Sequence, residues 1–304
     1  YLEGGLIGPR MCIFAKNFTL EILECSSSGN ISTTVNLGGG GITGYRAFQE
    51  IENATITMSD CYSNGIINAN AGGIFGQQSF QEMVNGRIFI FNCYSTGNIS
   101  GQNSGGIFGI FGCYQMSGGS INVSGCYSTG DLSGDFSGGI FGNRGGYKMS
   151  GGDITVFVCY STGKVEGIES GGIFGYGGGY EMSDGDIIVS NCYSIGIISG
   201  QYSGGIFGRE VGYQMSDGSI TVSNCYSTGI ISGQYSGGIF GFNGGYQMSG
   251  GSITVSNCYS TGELSGESVG GIVGRSFCDS MNNSSILNTI KNCYSIFVYF
   301  DFGT

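Results

Sequence analysis

The chain has 304 residues, of which 63 are glycine, 12 are cysteine and only one is proline, and it contains no histidine or tryptophan. Its net charge of −11 argues against nucleic acid as a partner, because binding phosphates requires a basic surface. The lack of histidine removes the commonest general base and metal ligand, and no apolar run reaches the roughly 18 residues that a membrane helix needs. We therefore expect no membrane insertion, no metal and no other cofactor.

One unit repeats along the whole chain. Gly4-Gly5-Leu6-Ile7-Gly8 is already half a unit, and a degenerate unit begins at Cys25. From Cys61 onward the motif Cys-Tyr-Ser recurs at steps of 32 to 35 residues, and Gly-Gly-Ile-Phe-Gly keeps the same period. A fixed period in this range indicates a repeat architecture.

The quality of the repeats changes along the chain, but no break separates them. We predict one continuous solenoid over residues 1–304, with divergent repeats at 1–60, regular repeats at 61–274 and a divergent repeat at 275–304. Because the sequence begins with tyrosine rather than methionine, we expect a processed product or a segment of a longer chain.

Each unit contains three short apolar pieces separated by glycines. In the unit that begins at Ser219 they are Ile-Thr-Val at 220–222, Ile-Ile at 230–231 and Gly-Gly-Ile-Phe-Gly at 237–241. Alternation and β-branching predict strands, glycines predict corners, and nothing has helical spacing. The sequence thus predicts an all-β fold, a β-solenoid (β-helix) of about nine coils stacked about 4.8 Å apart.

The Gly-Gly-Ile-Phe-Gly piece of each unit predicts a column of phenylalanines along the solenoid. If Ile206 points inward, the alternation of strand residues makes Phe207 point outward, together with its equivalents in other units. An exposed phenylalanine column would be a large apolar patch. We expect the Tyr-x-Met segment, residues 213–218 in this unit, to fold back as a second layer that covers it.

The cysteine of Cys-Tyr-Ser forms the most regular column. We interpret it as a column of small buried side chains, because no Cys-x-x-Cys pattern accompanies it and stacked Cβ atoms lie slightly too far apart for disulfides. Burial requires a corner at Ser223-Asn224, since an unbroken strand would point Cys225 outward. The column comprises Cys25, Cys61, Cys93, Cys126, Cys159, Cys192, Cys225, Cys258 and Cys293.

Two further columns flank the cysteines. Asparagine precedes cysteine in several units, and stacked amides can form hydrogen-bonded ladders. Tyrosine follows cysteine, and we interpret these tyrosines as a stack along the solenoid. The alternative for the tyrosines is an aromatic strip that binds the sugar rings of glycans.

Three cysteines fall outside the main column. Cys12, Cys113 and Cys278 each lie four residues after the last glycine of their motif, so they share another column. The chain end and the chain start together make up one coil, with 15 residues from Cys293 to Gly4 of a following chain. We therefore expect subunits to stack head to tail, with Cys12 and Cys278 as a candidate intersubunit disulfide, unless the chain is a segment of a longer repeat protein.

Signals of catalysis are lacking. The acidic pairs Asp184/Asp186 and Glu50/Glu52 do not recur in each unit, and we interpret them as solvated loop residues. The glycine-rich stretches lack the Gly-Lys-Ser/Thr ending of a phosphate loop. We predict that the protein is not an enzyme. Candidate N-glycosylation sites are Asn17, Asn30, Asn53, Asn98, Asn122, Asn282 and Asn283.

The unit Asn-Cys-Tyr-Ser-Thr-Gly followed by Gly-Gly-Ile-Phe-Gly resembles the GLUG repeat, and Gly5-Leu6-Ile7-Gly8 is the copy most similar to it. The resemblance covers nearly the whole chain and implies secreted adhesins, surface proteins or protease stalks. We expect an extracellular or cell-surface structural protein whose partner is itself, stacked into a head-to-tail fibre. The alternative is an adhesin or stalk module that binds glycans or surface proteins.

Overall fold

The computed structural model describes residues 5–32, 37–281 and 287–296, and all regular structure within them is β. The odd-numbered strands precede the cysteines: β1 Thr19–Leu23, β3 Thr55–Ser59, β5 Val84–Phe91, β7 Ser117–Ser124, β9 Asp153–Phe157, β11 Ile187–Ser190, β13 Ile220–Ser223, β15 Ile253–Ser256 and β17 Thr289–Lys291. The even-numbered strands follow them: β2 Ser26–Ser27, β4 Tyr62–Ser63, β6 Tyr94–Ser95, β8 Tyr127–Ser128, β10 Tyr160–Ser161, β12 Tyr193–Ser194, β14 Tyr226–Ser227, β16 Tyr259–Ser260 and β18 Tyr294–Ser295.

The odd and even strands form two parallel nine-stranded sheets that run side by side along the molecule. Each strand pairs with its counterpart one repeat away, as Ile187 pairs with Ile220 and Tyr193 with Tyr226. This order confirms the predicted β-solenoid. Coils are numbered here by their column cysteine, from coil 1 with Cys25 to coil 9 with Cys293.

The distribution of strands within a coil differs from the sequence prediction. The Tyr-Ser pair after cysteine forms the second sheet, whereas the other two predicted strands are single-residue bridges such as Ile198–Ile231 and Phe174–Phe207. Bends on both sides of these residues leave no room for a longer ladder. The backbone nevertheless bonds from coil to coil, since both Ile173 and Phe174 donate to the carbonyl of Ile206.

A left-handed corner stands before every column cysteine. Asn224 has φ of 53°, and the equivalent residue in each of the other eight coils also has a positive φ. Asparagine and glycine adopt this conformation most easily, which explains the asparagine that the sequence repeats there. The corner reverses the alternation, so that Cys225 is buried while Tyr226 faces outward, half-buried. The predicted corner at Ser223-Asn224 is confirmed.

The main core is one continuous column of apolar side chains. In coil 7 it contains Ile220, Val222 and Cys225, together with Phe240 and Met248, all fully buried. Methionine is unbranched and fills the irregular space between the strand residues and the phenylalanine. Packing along the solenoid axis therefore provides the hydrophobic stabilisation that a single coil cannot provide alone.

The expectation of an external phenylalanine column is wrong. Phe207 and its equivalents are buried in the same core as Ile206, and they stack on one another, as Phe141 does on Phe174. The bend at Ile206 and its glycine neighbours breaks the strand alternation, so both side chains point inward. The Tyr-x-Met segment closes the coil around the phenylalanines, with Met215 in the core, rather than forming a second layer.

A narrow waist separates the main core from a smaller second core. At the waist Gly238 lies against Ser260 of the next coil, and a Cβ on this glycine would lie 2.9 Å from the serine hydroxyl. Only glycine permits this close approach. The second core is a single aliphatic column of Ile31, Ile67, Ile99, Leu132, Val165, Ile198 and Ile231.

Candidate functional surfaces

The cysteine column lies inside the main core along most of its length. Seven members, Cys61 to Cys258, are buried, while Cys25 and Cys293 in the terminal coils are half-buried. The thiol of Cys192 donates to the carbonyl of Ser190 at 3.3 Å, and its Sγ accepts the N–H of Cys159 at 3.4 Å. The thiols are therefore held in place by weak hydrogen bonds as well as by packing.

Burial makes the thiols of Cys126 and Cys113 poor nucleophiles. It raises the pKa of Cys126 well above its usual value, because a thiolate cannot be solvated in the core. It also raises the pKa of Cys113, which is fully buried in the second cysteine column. No group of three or more metal-binding side chains occurs among residues 5–32, 37–281 and 287–296.

Cys12, Cys113 and Cys278 occupy one column, as their spacing predicted. All three have a positive φ, and in coils 4 to 7 the same position is glycine with a positive φ. Cys113 is in the interior of the molecule, whereas Cys12 and Cys278, the first and last members of this column, are half-buried. These two thiols therefore lie at opposite ends of the solenoid, and burial raises the pKa of Cys278 to about 11.

The candidate glycosylation sites differ in environment. Asn17, Asn30, Asn53 and Asn98 are exposed, whereas Asn122 is half-buried in strand β7. Several already make inter-coil hydrogen bonds: Asn53 donates to Asn17 at 3.2 Å, and Asn30 accepts the N–H of a neighbouring coil at 3.0 Å. The remaining two, Asn282 and Asn283, lie outside the described residues.

The tyrosines after the cysteines form a continuous stack on the outer face of the second sheet. Successive ring centroids are 4.7 to 5.2 Å apart and the rings are inclined by only 1° to 5°. Because the ring faces contact each other, mainly ring edges and hydroxyl groups are left to face the solvent. The stack, called here the tyrosine face, comprises Tyr62, Tyr94, Tyr127, Tyr160, Tyr193, Tyr226, Tyr259 and Tyr294.

The asparagine column forms hydrogen bonds between some coils. The amide of Asn292 donates to Asn257 at 3.3 Å, and Asn92 donates to Asp60 at 3.2 Å. These bonds stabilise the stack of left-handed corners. The column therefore has a structural explanation.

The acidic pairs singled out in the sequence have different surroundings. Glu52 forms an ion pair with Lys16 of the preceding coil, and both line an open groove that also contains Glu50. Asp184 occupies a left-handed corner, and the carboxylate of Asp186 accepts the N–H of Ser219 at 2.8 Å. Their hydrogen bonds and ion pairs link adjacent coils.

A cluster of partly buried charges was missed from the sequence. Arg209 contacts Glu169 at 2.7 Å and Glu210 at 3.0 Å, and the hydroxyl of Tyr176 donates to Glu210. Burial raises the pKa of Glu169, although the guanidinium of Arg209 opposes this shift. The cluster joins side chains of two adjacent coils, 5 and 6. A search for the repeat period does not detect it, because its three charged residues occupy different positions of the repeat.

No family model matches the chain, and no curated protein matches it significantly. The similarity to GLUG repeats thus rests on the motif residues alone. In the part of the chain that the structure describes, there is no helix long and apolar enough to cross a membrane.

Proposed function

We propose that the protein is a structural repeat protein whose solenoid continues from one copy to the next by head-to-tail stacking. The observation that carries this proposal is the pair of open sheet edges. Strands β1 and β17 lie at opposite ends of the first sheet, and among residues 5–32, 37–281 and 287–296 each has a neighbouring strand on one side only. Open edges of parallel strands are templates for the addition of another strand.

Exposed apolar side chains at both edges support this proposal. In the first described coil Phe14 is 64% exposed, and in the last Leu287 is 79% exposed. Ile290 and Tyr294 are also exposed at the last coil, although their equivalents in interior coils are buried or half-buried. Stacking of a second copy would remove this apolar surface from water.

The columns at the two edges are complementary. If β17 of one copy pairs with β1 of the next in the register used elsewhere, Ile290 lies over Ile22 and Cys293 over Cys25. Lys291 then lies over Leu23, between the columns of Glu21 and Glu24. One lysine of the last coil thus lies near two glutamates of the first coil, a contact that favours this direction of stacking.

The same register brings Cys278 of one copy over Cys12 of the next at the usual strand spacing of about 4.8 Å, a Cα separation that a disulfide spans once the two Cβ atoms move slightly closer together. We propose that this pair is the intersubunit disulfide under oxidising conditions. The segments predicted to complete a coil across the junction, residues 1–4 and 297–304, lie outside the described residues, so this part of the proposal rests on the sequence count.

Sedimentation velocity tests the stacking. The wild-type chain should form assemblies that grow with concentration, and Lys291→Glu should shift them toward the monomer because it places a third acidic group at the junction. Lys148→Glu, which removes a basic side chain in an interior coil, is the control and should not shift them. Equal sedimentation of all three proteins as monomers at every concentration would refute the proposal.

The proposed location is extracellular or on the cell surface. The exposed asparagines at positions 17, 30, 53 and 98 support it, because a glycan there would extend into the solvent. Expression through a eukaryotic secretory pathway, followed by peptide mass mapping with and without glycosidase, tests which sites accept sugar. Unmodified asparagines at all four positions would remove this support.

An adhesin or stalk module that binds glycans or surface proteins is the second candidate. The open tyrosine face favours it, since hydroxyl groups and ring edges are offered at regular intervals along several coils. Binding of immobilised polysaccharides by the wild type, and its loss on Tyr193→Ser/Tyr226→Ser substitution, would support this candidate. Equal binding by both proteins would contradict it.

A further inference from the structure

One border of the tyrosine face carries exposed isoleucines. In each coil of the second core, a glycine lies two residues before the residue of that core, and the chain bends at this glycine. The residue between the two points outward. In coils 6 and 7 this residue is Ile197 and Ile230, which are 38% and 39% exposed. Ile195 lies beside them, also exposed. These side chains make an apolar patch that no residue of the described part of the chain covers.

Charged residues of opposite sign stand on either side of this patch in the same column. The backbone carbonyl of each residue in this column accepts a hydrogen bond from the N–H of a second-core residue in the preceding coil. These bonds place Lys164 in coil 5 and Glu263 in coil 8. Over coils 5 to 8 the column is therefore Lys164, Ile197, Ile230 and Glu263, preceded in coil 4 by Asp131, whose carboxylate accepts the N–H of Lys164 at 2.9 Å. Lys164 makes only a long contact of 3.7 Å with Glu166, and both side chains are about half exposed, so that pair is weak.

This order is self-complementary when reversed. A two-fold axis that lies across the face between coils 6 and 7, perpendicular to the solenoid axis, reverses the order of the column. Lys164 of one copy then meets Glu263 of the other. The same operation places Ile197 against Ile230 and Tyr193 against Tyr226. Isologous contacts of this kind are the usual basis of two-fold dimers.

We propose that two copies of the chain pair side by side and antiparallel through the tyrosine face and its isoleucine border. The partner is a second copy because the charges around the patch match the chain itself in one register. The overlap spans coils 4 to 9, about 29 Å at the usual strand spacing. Pairing does not depend on head-to-tail stacking, because it uses neither open edge.

Charge exchange tests the register. Lys164→Glu places two pairs of carboxylates in contact across the two-fold axis, and Glu263→Lys places two pairs of amines in contact. Each single variant should dimerise at least ten-fold more weakly than the wild type, and the double variant should recover. A mixture of the two single variants should form heterodimers, because every contact is then between opposite charges.

Native mass spectrometry and analytical ultracentrifugation of the full chain provide these readouts. Circular dichroism verifies that each variant is folded, and Lys148→Glu is the control for loss of one positive charge away from the face. Unchanged dimerisation of the single variants, or a mixture without heterodimers, would overturn the proposal.

Carbodiimide cross-linking is an independent test of this contact, and it can be applied even if filaments form. The reagent condenses a lysine amine with a glutamate carboxylate, with loss of water, only when the two are in contact. Within one chain Lys164 and Glu263 are three coils, about 14 Å, apart. When isotope-labelled and unlabelled copies are mixed, we expect a cross-linked peptide pair that joins Lys164 of one copy to Glu263 of the other. Its absence at concentrations where the chain dimerises would contradict this register.

Discussion

The rings of Phe141 and Phe174 lie face to face, with centroids 4.6 Å apart and planes inclined by 4°. Both residues are fully buried and belong to adjacent coils. Their contact is repeated along the solenoid by equivalent pairs such as Phe207 and Phe240, at 4.8 Å. The stability of this molecule is therefore expected to depend on packing between coils more than on packing within one coil.

Truncation of one stacked phenylalanine tests this dependence. Phe174→Ala removes a ring that contacts both neighbouring coils, so it should lower the free energy of unfolding by about 3–5 kcal/mol. Phe157→Ala is the matched control, because Phe157 is 46% exposed and should change stability by less than about 1 kcal/mol. Urea denaturation followed by circular dichroism measures both. Similar losses for the two variants would contradict the assigned packing.

The corner before each cysteine provides a second prediction. Val158 has φ of 53°, a conformation in which a β-branched residue is strained. Val158→Asn should therefore stabilise the protein by about 1 kcal/mol. The reciprocal change Asn191→Val, at the same position of the next coil, should destabilise it by a similar amount. Thermal unfolding of both variants checks the prediction, and shifts of the same sign would count against it.

The buried serine after each tyrosine leads to an unusual expectation. Ser194 is fully buried and its hydroxyl has no hydrogen-bond partner. Ser194→Ala removes an unpaired polar atom, so stability should be unchanged or rise by up to about 2 kcal/mol.

Ser203 is the matched control for this serine. It is also fully buried, but its hydroxyl donates to Gly167 at 2.9 Å and accepts from Ser170 at 3.1 Å. Ser203→Ala should cost about 1–3 kcal/mol because it leaves buried partners unpaired. Urea denaturation of both variants provides the comparison. A larger loss for Ser194→Ala than for Ser203→Ala would reveal a hydrogen bond at Ser194.

Tyrosine ionisation predicts how stability changes at high pH. Burial raises the pKa of Tyr180 to about 12, and burial together with neighbouring tyrosines raises the pKa of Tyr160 in the tyrosine face. A phenol whose pKa is raised by folding stabilises the folded state fully at pH values below its unfolded pKa of about 10. This stabilisation is lost as the pH rises toward the folded pKa, which is about 12 for Tyr180.

Two titrations check this prediction. Absorbance at 295 nm should rise at higher pH in the native protein than in the urea-unfolded chain, and the urea midpoint should fall between pH 10 and 12. Identical titration curves for the folded and unfolded chains would contradict the burial of these phenols.

The repeat period was sufficient to predict the fold class and the columns, because every coil obeys the same register. Asn224 was also informative, since an asparagine before cysteine indicated the corner that buries Cys225. The direction of Phe207 was predicted wrongly, because alternation fails where glycines bend the chain on both sides. Strand lengths were not predictable for the same reason.

The surfaces were less predictable than the core. The contact of Arg209 with Glu169 joins different positions of the repeat, so it depends on coil geometry that periodicity does not specify. The sequence contains the order Lys164, Ile197, Ile230 and Glu263, but these residues share a column only after the register between coils is known. Residues that depart from the repeat consensus at outward-facing positions are therefore the sequence feature that indicates a surface site.

Electron microscopy of the purified chain at high protein concentration, with and without reductant, tests head-to-tail stacking most directly. Filaments with an axial repeat of about 43 Å are expected, which corresponds to nine coils at the usual strand spacing of about 4.8 Å. Oxidised glutathione should lengthen them and reductant should shorten them if Cys278 and Cys12 form a disulfide. Isolated short rods under every condition would contradict end-to-end assembly.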